Sequence, residues 1–126
     1  MKFTLVLVVG IAAFVSLAVR AFAHAEVESC QPPINATLDS LPDVIVCTTS
    51  ESMNAKRSTL SVYDSAGERV DRDNSQVDFN DTERRTISVS LDRSKARPGV
   101  YTVKWRTLSA DDGDEAYGEF KLTVRR

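Results

Sequence analysis

Apolar and polar residues alternate with a period of two along much of this chain. In "TLSVYD", Leu60 and Val62 fall on one side, with Ser61 and Tyr63 on the other. "TISVSL" repeats the pattern with Ile87, Val89 and Leu91. "VYTVKW" does so with Tyr101, Val103 and Trp105, and "EFKLTV" with Phe120, Leu122 and Val124. Successive side chains of a strand point to opposite faces, so these stretches predict half-buried β-strands. "DVIVCT" is a more continuous apolar run and predicts a strand covered on both faces. Turn chemistry separates the strands at Pro32-Pro33, Ser65-Ala66-Gly67, Asp71 to Asn74, Asn80-Asp81 and Pro98-Gly99. "SESMNAKRS" predicts one helical turn and no more. Strands at this spacing predict an all-β fold, an immunoglobulin-like antiparallel β-sandwich with Greek-key topology. The alternating faces would supply its core, with Trp105 as the largest inner anchor.

The first 23 residues follow a different logic. Lys2 precedes the apolar "FTLVLVVGIAAFVSLAV", and Ala21 and Ala23 then form the small-x-small pattern read by a signal peptidase. This predicts a signal peptide over residues 1–23 and one domain over 24–126, exported to a periplasmic or secreted location. An uncleaved membrane anchor is the competing reading, since the run approaches the roughly 17–25 residues a spanning helix needs. Cleavage after Ala25 instead of Ala23 is a further alternative. Removal of residues 1–23 takes Lys2 and Arg20 and leaves 14 basic against 18 acidic side chains, a net charge of −4. With no basic stripe to neutralise phosphates, nucleic acid is not an expected partner.

Charge and compartment change the reading of the cysteines. Cys30 and Cys47 are the only two, and in an oxidising compartment an even count favours a disulfide. A bridge closing a loop of this size contributes about 3 kcal/mol in the chain-entropy account. Two cysteines without a second pair or a nearby histidine make a poor zinc site. A copper(I)-thiolate pair is the other alternative.

Candidate chemistry lies in two places. His24, the only histidine, follows Ala23 directly. Cleavage there would expose an α-amine, ordinarily of pKa about 7.7–8.0, on the residue that carries the imidazole. Two such nitrogens suit Cu(II) or Ni(II), and Cu(II) heads the affinity order for such donors. A solvated terminal histidine without a role is the alternative. The second place is "LSADDGDEAYGEF", where Asp111, Asp112, Asp114 and Glu115 surround Gly113. It reads as a solvated acidic hairpin loop or as oxygen donors for a metal, and its spacing does not match a calcium-binding EF-hand loop. No Ser-His-Asp set, glycine-rich phosphate loop or HExxH is present, so no enzyme activity is expected. Asn35-Ala36-Thr37 and Asn80-Asp81-Thr82 fit the glycosylation triplet, which matters only in a eukaryotic secretory host.

Taken with the leader, "HAEVESCQPPINATLDSLPDVIV" and "GVYTVKWRTLSADDGDEAYGEFKLTV" resemble the CopC family of exported copper-binding proteins. The resemblance covers nearly the whole of residues 24–126. It implies a sandwich of about seven strands, Cu(II) as the bound ion, and a role as copper carrier or buffer in copper tolerance or uptake. It also implies a membrane copper transporter as partner, and the chain itself is expected to be a monomer. The family holds Cu(II) through the amine and imidazole of the first mature histidine and an Asp-x-His pair in the last loop. These positions correspond to His24, Asp112 and Asp114, the last being aspartate where the family has histidine. A site of two nitrogens and two carboxylates remains reasonable for Cu(II), with weaker binding as the expected consequence. The family's methionine-rich Cu(I) site is not expected, because only Met53 lies beyond the leader. A bridge between Cys30 and Cys47 would clamp the strand that begins near His24. The reading from a different class is an interaction module that binds no metal. A third is a redox enzyme with an N-terminal histidine brace, for which a further imidazole is lacking.

Overall fold

The structure, a computed structural model, describes residues 24–126. The expected signal peptide and its apolar core lie outside the described residues. Within them, no helix is long and apolar enough to cross a membrane.

Among the described residues, eight strands form two four-stranded sheets. They are β1 (Val27–Gln31), β2 (Thr37–Leu38), β3 (Val44–Thr49), β4 (Thr59–Tyr63), β5 (Gln76–Val77), β6 (Thr86–Ser90), β7 (Gly99–Leu108) and β8 (Glu115–Val124). One sheet has the order β1-β3-β6-β5 and the other β2-β8-β7-β4. The chain crosses between sheets repeatedly, as a Greek-key sandwich requires. One pairing departs from the expected antiparallel pattern: β2 runs parallel to β8, with Thr37 opposite Thr123. A 3-10 turn, Arg93–Lys95, is capped by the Asp92 side chain. In "SESMNAKRS" one turn forms at residues 55–57, where the Arg57 N–H donates to the Asn54 carbonyl (3.4 Å), and Met53 bridges Ser109.

The inner faces meet in one core. Leu60, Val62, Ile87, Val89, Val103, Phe120 and Leu122 are all buried, as their alternation predicts. Two expectations are corrected. Strand β3 is not covered on both faces: Ile45, Cys47 and Thr49 are buried, whereas Val44 is 41% exposed. An antiparallel sheet in a two-layer sandwich has only one dry face. Nor is Trp105 the main inner anchor. Tyr101 is the largest fully buried side chain, and Trp105 packs part-buried against the margin of the core.

The second correction follows from the register of β7 and β8. Trp105 stands opposite Gly118 in the β7–β8 register, and its indole occupies the space where a side chain at 118 would be. Tyr101 is held by its hydroxyl, which donates to the Arg97 carbonyl (2.6 Å) and accepts from the Arg97 N–H (2.8 Å). This arrangement is similar to the tyrosine corner of Greek-key sandwiches.

Cys30 and Cys47 face each other across β1 and β3 and form a disulfide. The bridge is the structural one expected from the even count, and it ties an edge strand to its only neighbour in the sheet.

Asp71, expected as a turn residue, is instead a buried staple between the sheets. Its side chain accepts from the N–H groups of Val62 and Asp73 (both 2.8 Å) and from Arg69 Nε (2.9 Å). Residue 71 also bridges Leu91, just past β6. Burial alone would raise the Asp71 pKa, but the hydrogen bonds from Arg69, Val62 and Asp73 outweigh it and hold the carboxyl below the ordinary range.

Asp71→Ala should lower stability by about 2–3 kcal/mol, the usual effect of removing hydrogen bonds to a charged group, as measured by urea denaturation. Because the folded pKa is depressed, the carboxylate's contribution is full above its unfolded pKa of about 3.9 and fades as pH falls through the folded value. Asp71→Asn should therefore flatten the acid limb of stability against pH; superimposable limbs would contradict this role. A Cβ on Gly118 would overlap Trp105 Cζ2. Gly118→Ala should then cost about 1–3 kcal/mol through overpacking and red-shift the emission of the only tryptophan.

Candidate metal centre

His24 and the acidic hairpin loop lie at the same end of the sandwich. The segment ahead of β1 is fixed by backbone and hydroxyl groups from both sheets. Ser50, which follows β3, donates its hydroxyl to the His24 carbonyl (2.7 Å) and accepts from the Glu26 N–H (3.1 Å). The Ser50 N–H donates to the Glu26 carbonyl (2.8 Å). Thr107, on β7 of the other sheet, donates its hydroxyl to the Ala25 carbonyl. Ala25 and Thr107 are both fully buried, while His24 is half-buried. A short alanine next to the histidine lets the chain pass between the sheet ends without a side chain to displace.

The loop begins two residues beyond Thr107. The Ser109 N–H donates to the Asp114 carbonyl (2.9 Å), and the Gly113 N–H donates to the Ser109 carbonyl (3.0 Å). Gly113 has φ +73°, a left-handed conformation that glycine adopts without steric cost. The loop is also tied to the N-terminal side, since the Ala110 N–H donates to the Ser52 carbonyl (2.8 Å).

The four clustered carboxylates are not equivalent. Asp111 and Asp112 are exposed, and Asp112 Oδ1 accepts from the Asp114 N–H (2.9 Å), which stabilises the turn. Asp114 is half-buried. Glu115 belongs to β8 rather than to the loop tip and pairs with Arg106 of β7. Hydrogen bonds from Tyr117 and Arg106 hold the Glu115 carboxyl below its ordinary pKa, and the Tyr117 hydroxyl is raised in turn. Glu115 is therefore committed to an ion pair and drops out of the donor set.

Among the described residues, no group of three or more His, Cys, Asp and Glu side chains converges closely enough to hold a metal ion. His24, Asp112 and Asp114 thus share one end of the fold without forming a finished cage. The donor types fit Cu(II), which accepts mixed nitrogen and oxygen ligands. Closing three of them round one ion would require the loop and the terminal residue to move together. The amine nitrogen of residue 24 exists only once the Ala23–His24 peptide bond is hydrolysed. Met53 is buried at 1% exposure beneath this end, and Cys30 and Cys47 are joined to each other.

Sequence reading missed Thr107 and Ser50. A signal for Thr107 was present: it continues the inward-facing series Tyr101, Val103, Trp105 but is polar. Ser50 carries no such mark, because its partners are backbone atoms distant in sequence.

A family model described as "CopC domain" matches residues 27–125. A curated relative, copper transport protein CutJ of Bacillus subtilis (strain 168), is 29% identical over 90 residues. That alignment takes in 71% of this chain but only 16% of CutJ, so the chain spans a small part of that relative's length. Among solved structures, CopC from Methylosinus trichosporium OB3b superposes with a TM-score of 0.66 at 21% identity, over 81% of this chain and 94% of that one. PcoC from Escherichia coli, described as a methionine rich copper resistance protein, gives a TM-score of 0.63 at 21% identity, over 82% and 100% of the two chains. At that identity the likeness carries the fold. The match over 27–125 begins just after His24 and takes in every strand and the whole hairpin loop. The chain belongs to the CopC family.

Proposed function

We propose that this chain is an exported Cu(II)-binding protein, acting as a copper carrier or buffer in copper tolerance or uptake. Its mature form begins at His24, after removal of residues 1–23. The amine and imidazole of His24 supply two nitrogens, and Asp112 and Asp114 supply carboxylate oxygens. The observation that carries the reading is that the segment bearing His24 is hydrogen-bonded, through Ala25 and Thr107, to the strand that runs into the acidic loop. The names of CutJ and PcoC, which refer to copper transport and copper resistance, support copper as the ion.

A start at His24 is favoured over a start at Glu26 by the burial of Ala25. Cleavage after Ala25 would empty its place between the sheets and leave the Thr107 hydroxyl without its acceptor. Two carboxylates in place of a carboxylate and an imidazole imply weaker binding, because imidazole suits Cu(II) better than a hard oxygen donor does. A membrane copper transporter is a natural recipient for such a carrier.

The second reading is an interaction module without metal. The groove on the outer face of the β2-β8-β7-β4 sheet favours it. That groove is lined by Thr59, Ser61, Lys104, Arg106, Tyr117 and Glu119, and Tyr117 is 67% exposed.

Copper titration of protein that begins at His24 by N-terminal mass distinguishes the two. Binding of one Cu(II) per chain, lost in His24→Ala and tightened in Asp114→His, is the expected result. No uptake at micromolar Cu(II) would leave the interaction module standing.

A further inference from the structure

The hydroxyls at the base of the N-terminal segment do something the core does not need. Thr107 is fully buried at an inward position of β7 where its neighbours in the series are large and mostly apolar. A valine there would fill the same volume. Its hydroxyl is satisfied by the main-chain carbonyl of Ala25, the residue directly after the terminal histidine. Ser50 holds the same segment from the other sheet, donating to the His24 carbonyl and accepting from the Glu26 N–H.

These contacts close a ring of structure around the site. From His24 it passes to Ser50, then along the chain to Ser52, whose carbonyl accepts from Ala110. From Ala110 it returns through Ser109 to Thr107 and so to Ala25. The terminal residue and the loop are therefore tied into one unit at the level of the main chain. A chain terminus is ordinarily poorly ordered unless something ties it down. A ligand residue that must be ordered on binding loses affinity, and groups that order it beforehand restore it.

We propose that Thr107 and Ser50 are positioning residues for the metal held at residue 24. They set the direction of the His24 main chain, and hence of its amine and ring, before the ion arrives. This rests on the Cu(II) reading above. Thr107 is the principal member, because its bond is buried and joins the terminal segment to the loop-bearing strand. Ser50, half-buried, supports the same residue from outside.

The test uses protein beginning at His24, with Thr107→Val, Thr107→Ser and Ser50→Ala as variants and His24→Ala as reference. Three properties are measured: Cu(II) affinity by chelator competition, the Cu(II) electron paramagnetic resonance spectrum, and the metal-free melting temperature together with amide exchange at Ala25 and Glu26. Thr107→Val should weaken Cu(II) binding at least about tenfold, the usual scale for removing an outer-shell partner. It should also broaden or split the spectrum and speed exchange at the two amides, while Thr107→Ser restores all three. Wild-type affinity and spectrum in Thr107→Val would overturn the proposal, whatever happens to the melting temperature. If Thr107→Val does not fold, Ser50→Ala decides by the same readouts, with loss of affinity at an unchanged melting temperature as the supporting result. A wild type that takes up no Cu(II), or binds it equally well as His24→Ala, overturns the copper reading itself and this proposal with it. Failure of the positioning role alone leaves wild-type binding dependent on His24.

Discussion

The bond from the Thr107 hydroxyl to the Ala25 carbonyl governs how the chain's candidate chemistry is arranged. Two sheets packed face to face have a dry interior and open ends, and backbone groups that reach the interior there need partners. Ala25 enters at one end with no side chain beyond its methyl, so its carbonyl can reach a hydroxyl on β7. That places the residue before it, His24, at the rim of the sandwich. The same strand then turns through Ser109 to Asp114 at the same rim. The joining of the first described residues to the last hairpin thus follows from one inward polar side chain.

Much of the fold was legible because burial on one face imposes a period of two. Leu60 and Val62, Ile87 and Val89, and Phe120 and Leu122 alternate in sequence and are buried in the structure for the same reason. Where the reading failed, pairing between distant strands decided the matter. Nothing in "DVIVCT" reveals that Val44 faces outward, since valine suits either side of a strand. The position of Trp105 depends on Gly118 across the hairpin, and a glycine in a strand does not announce what lies over it. Asp71 has the composition of a turn and the environment of a core polar group. Its partner Val62 lies in β4, and Arg69 lies in the segment that folds back on that strand.

The candidate site was legible in its residue types and less so in its grouping. An alanine-flanked histidine and a run of aspartates around a glycine are local features, visible without a fold. The separation of Glu115 from the other carboxylates is not local. It follows from the strand register, which puts Arg106 within reach of it, so an ion pair claims a side chain that spacing alone would count as a donor. Asp112 is partly claimed as well, by the turn it stabilises. Counting acidic residues overestimates the donors because some of them build the loop that carries the rest.

The cystine acquires a mechanical meaning from its position. Strand β1 is an edge, joined in its sheet to β3 alone, and edges are where sheets ordinarily begin to peel. A covalent link at Cys30 halts peeling from the N-terminal end at that residue. Residues 24–29 thus lead into a root that is covalently fixed. The cystine at one end and the bonds to Ser50 and Thr107 at the other then hold this short segment between two fixed points.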